Sequence, residues 1–186
     1  MAAKTIREHG EVPYKSPSNE QMLITRTVNG ETEIWLGPEH ISSLQDEGVV
    51  SAVNWAQTGF RLGGSRTGAY PGSTDPKDTW IPIRWMFNWI ENKIVLTSYV
   101  NFLDLPIVRR KVDLVLNSIN DFLNGLPQDA LYAGGRLEFL ETENTESDLL
   151  NGKCKWHLYI APPPPMSEME VVVEYDVSLI SPALFG

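Results

Sequence analysis

The chain has 186 residues, 42% hydrophobic and 21% charged, a balance that suits a globular domain, alone or with an arm, and excludes a wholly disordered chain. A formal net charge of −9 disfavours general binding to nucleic acid or an anionic membrane, since either selects a basic face. No apolar run reaches membrane-spanning length, and Lys4, Arg7 and Glu8 interrupt any secretory leader, so cytoplasmic synthesis is expected.

The first 20 residues are polar, carry Gly10, Pro13 and Pro17, and show no apolar period, which predicts an extended N-terminal arm before a domain over residues 21–186. Gln21 to Val28 and Glu31 to Leu36 flank Asn29-Gly30, a hairpin signal in which both turn positions take positive φ. Ile41 to Glu47 reads as a short helix stopped by Gly48, and Val49 to Trp55 and Phe60 to Leu62 as short strands. Gly63 to Pro76 is a loop by composition. It has neither the Gly-Lys-Ser/Thr ending of a phosphate loop nor a three-glycine dinucleotide fingerprint, and Asp78-Thr79 follows as a helix cap.

Two longer helices come next. Trp80 to Leu96 places Trp85, Met86, Trp89, Ile90 and Lys93 at helical spacing, with Pro82 in the first turn. Trp85, Trp89 and, later, Trp156 are expected in the core, although a row of tryptophans is also what a carbohydrate-stacking site would use. Pro106 opens the second helix, whose stripe is Val108, Val112, Val115, Ile119 and Phe122, ended by Gly125 and Pro127. Arg109, Arg110 and Lys111 sit beside that stripe as a solvated face or a docking patch.

Gly134-Gly135 restarts the chain as a strand with Leu137 and Phe139 inward, and Asn144 caps a helical turn through Leu150. Cys154, Trp156, Leu158 and Ile160 then alternate with Lys153, Lys155, His157 and Tyr159, the period of a half-buried strand. After Pro162 to Pro165 a longer alternation sets Met169, Val171, Val173, Tyr175, Val177 and Leu179 against Glu170, Glu174 and Asp176. Proline supplies no ladder donor and favours an extended course, so this second strand is projected away from the first and is expected to pair with another molecule. The expected class is α+β: a mixed sheet against two longer helices, with a terminal strand available for β-augmentation.

Charge is uneven. Between Glu138 and Asp176 nine acids face two bases, while Phe60 to Lys111 holds eight bases and four acids, so the molecule is expected to be two-faced. Chemistry is harder to find. His9, His40 and His157 lack metal-ligand spacing, no Gly-x-Ser-x-Gly occurs, and Cys154 and His157 alternate to opposite faces of one strand. No catalytic, cofactor or metal residue is assigned. The acids between Glu138 and Asp148, with the tryptophans, make a glycosidase or glycan-binding module the alternative.

The order Gly134-Gly135, Asn144-Thr145, Leu149 to Lys153, Ala161 to Pro165 and Glu168 resembles the C-terminal domain of contractile phage tail sheath proteins, most similar to the P2-like branch and to related phage-tail-like particles. Upstream, Gly64-Ser65-Arg66-Thr67 resembles the family's Gly-x-Arg-Thr segment, with Gly63 where a tryptophan is usual, and Ile83-Arg84 resembles the start of the domain proper, making Arg84 a buried or interfacial ion-pair residue. Over Gly64 to Ile180 the resemblance implies a non-enzymatic structural subunit of a virion tail, without cofactor. Such a subunit assembles with itself in stacked six-fold rings around an inner tube protein, between baseplate and tail terminator, and contracts to drive the tube through a cell envelope. Sheath proteins are longer, with an outer domain inserted upstream, and the resemblance leads to the expectation that this outer portion is reduced or absent from residues 21–186. Within that reading Val171, Val173, Tyr175, Val177 and Leu179 are expected to form an inter-subunit strand, being long, acidic on one face and projected by the prolines, and Arg109, Arg110 and Lys111 to hold an acidic inner tube through charge pairs that can be broken.

Overall fold

The computed structural model describes residues 2–54 and 59–179. Along the chain it forms α1 (Ala2–Glu8), β1 (Thr27–Asn29), β2 (Thr32–Ile34), α2 (Pro38–Asp46), β3 (Ser51–Asn54), β4 (Phe60–Gly63), α3 (Pro76–Thr79), α4 (Ile81–Asn101), α5 (Arg109–Asn124), β5 (Gly135–Glu138), α6 (Glu146–Leu150) and β6 (His157–Ile160). The α+β class holds. The single mixed sheet does not: among the described residues the strands form three separate antiparallel pairs, β1–β2, β3–β4 and β5–β6. Each described strand is only three or four residues long, and the one long alternating stretch pairs with no described residue of its own chain.

The first 20 residues are not an extended arm. They contain α1, bury Thr5, and send Val12 into the main core, where it is 7% exposed. Asn19, Glu20 and Met22 then exchange backbone hydrogen bonds with Leu62 and Phe60, adding a short run beside β4. In the β1–β2 hairpin Asn29 pairs with Thr32, so the turn is Gly30-Glu31, one residue later than the sequence suggests, and Gly30 alone has positive φ. Helix α2 ends as expected at Gly48. Its N–H reaches the Gln45 carbonyl at 3.0 Å while that of Val49 reaches Leu44 at 2.8 Å, the paired closure a left-handed glycine permits. The expected Val49–Trp55 strand is seen as β3; Trp55 and Gln57-Thr58 lie outside the described residues.

The loop before α4 is fixed by backbone pairing, with Ile81 N–H donating to Ser65 and Thr67 N–H to Thr79, each at 2.9 Å. Capping differs from expectation. Asp75, not Asp78-Thr79, caps α3 by accepting from Lys77 N–H at 2.9 Å, Thr79 is buried, and Trp80 stands at the start of α4 with no side-chain cap bond. Helix α5 begins at Arg109, three residues after Pro106, because Val108 keeps extended dihedrals.

The core forms where α4, α5 and β5 meet: Met86, Ile90, Ile119, Leu123 and Leu137 are buried together with Val12, Ala130 and Leu131. Burying each of the larger side chains stabilises by about 1.5–3 kcal/mol. Glycine at 135 lets β5 lie close to this core, since a Cβ there would stand 2.9 Å from Ile160 Cγ2 and 3.2 Å from Leu123 Cδ1. Thr145 rather than Asn144 caps α6, accepting from Asp148 N–H at 3.2 Å. Asn144 is 6% exposed and clasps two chain segments instead, donating to Leu140 O at 2.8 Å and Lys155 O at 3.0 Å and accepting from Lys155 N–H at 2.7 Å.

Candidate assembly surface

The β5–β6 pair has one face on the core and one turned outward. Its register sets Gly135 against Ile160, Arg136 against Tyr159, Leu137 against Leu158 and Glu138 against His157. The inner face follows the alternation read from the sequence, with Trp156, Leu158 and Ile160 packed on the core and Cys154 half-buried, its thiol pushed up by burial.

The outer face is charged. Glu143 accepts from Lys155 Nζ and lies 2.9 Å from His157 Nε2, and these two partners, Lys155 first, hold its carboxyl below the ordinary value. Arg136 bonds Glu138 at 2.7 Å, with its guanidinium 4.4 Å from the Tyr159 ring centroid. Glu143 was not legible as part of this cluster, because a short 3₁₀ turn over Glu141–Glu143 brings it beside residues far along the chain.

Beyond Ile160 the chain runs through the prolines without helix or strand as far as Asp176, then closes in a 3₁₀ turn at Val177–Leu179. The long strand expected from Met169 to Leu179 is therefore absent. Val171, Val173, Tyr175 and Val177 are 67%, 89%, 81% and 66% exposed, since no described sheet edge meets them.

Arg109, Arg110 and Lys111 form the first turn of α5, where the positive end of the helix dipole disfavours cations. Arg109 pairs with Asp113 at 3.1 Å and is 82% exposed, and Arg110 is exposed, while Lys111 is half-buried. The three do not lie with the β5–β6 residues on one element. An apolar surface the sequence reading did not separate from the core lies on the last two turns of α4 and the loop after it, where Leu96, Tyr99, Val100 and Leu103 are 65%, 71%, 77% and 57% exposed and Leu103 lines one cleft with Lys111.

None of the expected core tryptophans is fully buried. Trp89 and Trp156 are half-buried against the core, at 5.9 Å from Phe122 and 4.9 Å from Phe139 between ring centroids, and Trp85 is half-buried apart from that cluster. Trp80 is covered by Arg66, whose guanidinium lies 3.5 Å from its ring centroid and 4.3 Å from that of Tyr70. Arg84 is not buried; it makes an exposed ion pair with Asp78 at 3.2 Å. Among the described residues no group of three or more His, Cys, Asp or Glu could hold a metal, and no helix is long and apolar enough to cross a membrane.

No protein-family model matches the chain. The tail sheath protein of Burkholderia phage BcepMu is 26% identical over 170 residues, which is 88% of this chain and 35% of that protein. The fold is shared with contractile sheaths. The chain matches one from the PVC sheath complex, an extracellular contractile injection system in its contracted state, at TM-score 0.77 with 18% identity, covering 96% of this chain and 49% of the other. It matches a chain of the anti-feeding prophage baseplate at 0.78 and 20% identity, covering 94% and 48%, and one of the contracted helical sheath of that prophage at 0.74 and 20%, covering 94% and 47%. The similarity is thus to contractile tail sheath and injection-system proteins at distant identity, and the chain spans about a third of the phage relative and about half of these structural neighbours.

Proposed function

We propose that this chain is a structural, non-enzymatic subunit of a contractile sheath, in a phage tail or a related particle. It polymerises in stacked six-fold rings around an inner tube, between baseplate and terminator, and shortens to drive the tube through an envelope. The observation that supports this most is the breadth of the fold match, which takes in nearly the whole chain against sheath chains of an injection system. In motif order the chain is nearest the P2-like branch. The glycan alternative gains no observation, since Trp80, Trp85 and Trp89 are all partly covered by protein.

In this reading contraction is a switch between two packings of the same subunits, with neighbours kept attached by strands exchanged through their chain ends. The stretch whose Val171, Val173, Tyr175 and Val177 are exposed, continued to Leu179, is the strand given. Arg109, Arg110 and Lys111 grip an acidic inner tube. Their position supports this, because a cationic first turn is a cost to α5 that a contact outside the chain would offset. Exposed ion pairs contribute only about 0.2–1 kcal/mol each, which suits a contact that must release. Reversing all three charges is expected to lower co-sedimentation with tube and to remove its salt dependence; co-sedimentation equal to the parent's contradicts the tube assignment.

A further inference from the structure

We infer that the cleft shared by the Gly64-Ser65-Arg66 turn and the proline segment is a carboxylate-binding site built on Arg66, and that Glu168 of the same chain is the group it takes. Such a site operates in a lone chain, whether or not copies assemble. Gly64, Ser65 and Arg66 lie far in sequence from Pro163 to Glu168, yet both segments line one cleft of about 1030 Å³.

Arg66 is held in place before any ligand arrives. Its backbone bridges to that of Trp80 between the two bonds that fix the loop, Ile81 N–H to Ser65 and Thr67 N–H to Thr79. Its guanidinium stacks on Trp80 and Tyr70, at 3.5 and 4.3 Å from the ring centroids. Tyr70 is tied down in turn, since its backbone packs so close to Gly48 that a Cβ there would stand 2.6 Å from Tyr70 O. The rings cover the faces of the planar cation and leave its N–H donors, which point outward in the plane, for an acceptor at the edge. Among the described residues none of these donors has a hydrogen bond or an ion pair. A guanidinium already immobilised loses little further freedom when a carboxylate joins it, and its fork can form two parallel N–H···O bonds.

The lining limits what can bind. Its charged residues are Lys15, Asp46, Arg66 and Glu168. Lys15 is taken by Glu20 at 3.3 Å, and Asp46 is the last residue of α2, which fixes its backbone. Glu168 is exposed, has no ion pair among the described residues, and sits on a stretch with neither helix nor strand. Pro162 is buried and anchors that stretch, and the restricted φ of the prolines after it narrows the directions Glu168 can take. A short tether of this kind presents the carboxylate at an effective concentration on the order of millimolar. Closure on Arg66 fixes the course of the chain at Met169, and release frees it.

NMR of the full chain tests the latch through the Nε–Hε signal of Arg66, identified by its loss in Arg66→Lys. Glu168→Gln is expected to shift that signal and to speed its exchange with water, whereas Glu168→Asp, which keeps the carboxylate, is expected to hold it near the parent position. Asp46→Asn is expected to leave it in place. All three substitutions fall on exposed side chains, so the fold is retained. A signal unmoved by Glu168→Gln overturns the inference. So does a shift produced by Asp46→Asn alone, which gives Arg66 to Asp46. A parent signal that moves to the Glu168→Gln position on dilution puts the carboxylate on a second copy, and this too overturns the assignment to the same chain.

Discussion

Asn144 shows how much a single polar side chain can organise. Its three hydrogen bonds tie Leu140 to Lys155 at the point where β5 and β6 diverge, and the group is buried, so losing it leaves peptide groups without partners. Asn144→Ala is expected to destabilise by about 1–3 kcal/mol, read from a denaturant midpoint, and a loss below about 0.5 kcal/mol would show that water replaces the clasp. Glu143 supplies the titratable counterpart. Because its folded-state pKa is depressed by Lys155 and His157, its contribution is fully present above the ordinary carboxylate value and disappears as pH falls through the lowered one. Glu143→Gln is therefore expected to lower the urea midpoint near pH 7 by a margin that shrinks as pH falls through the lowered carboxyl value, where the parent loses the same charge. A margin that stays constant across the acid range would place its role in packing rather than charge.

Elements follow the sequence where periodicity and packing agree. The stripe of α5 and the alternation of β6 were legible because each has a core to face, and Gly48 because a left-handed closure needs glycine. Asn144 and Thr145 were harder to tell apart: both are cap types, and only the long-range bonds of Asn144 settle which one caps α6. Asn120, whose Oδ1 accepts from Leu137 N–H at 2.7 Å, was invisible, a polar residue beside an apolar stripe that reads as solvent-facing until β5 arrives against it. The arm prediction failed because a mostly polar segment needs only Val12 and Tyr14 to dock on the core. Met169–Leu179 is a different case, since alternation specifies the two faces of a strand but not which edge, in the same chain or another, it pairs with. Deleting Met169 to Gly186, or combining Val173→Asp with Val177→Asp, is accordingly expected to leave monomer stability within about 0.5 kcal/mol and the helical circular dichroism intact while abolishing assembly. Unfolding of either variant at low concentration would show that the stretch belongs to its own core.

At the scale of the whole molecule, charge and apolar exposure divide the surface in a way that suits repeated contacts between copies. Most of the net negative charge lies between Glu138 and Asp176, whereas the basic turn of α5 and the bare end of α4 lie earlier in the chain, where Lys111 and Leu103 line one cleft. Unlike surfaces on one molecule generate head-to-tail contacts, which close into rings or continue as helices. The most direct test is electron microscopy of the concentrated full chain, alone and with a candidate inner tube. The account predicts discs or tubes with six-fold symmetry and a central channel that the inner tube fills; uniformly dispersed monomers under both conditions, at concentrations where the chain is folded, would contradict it.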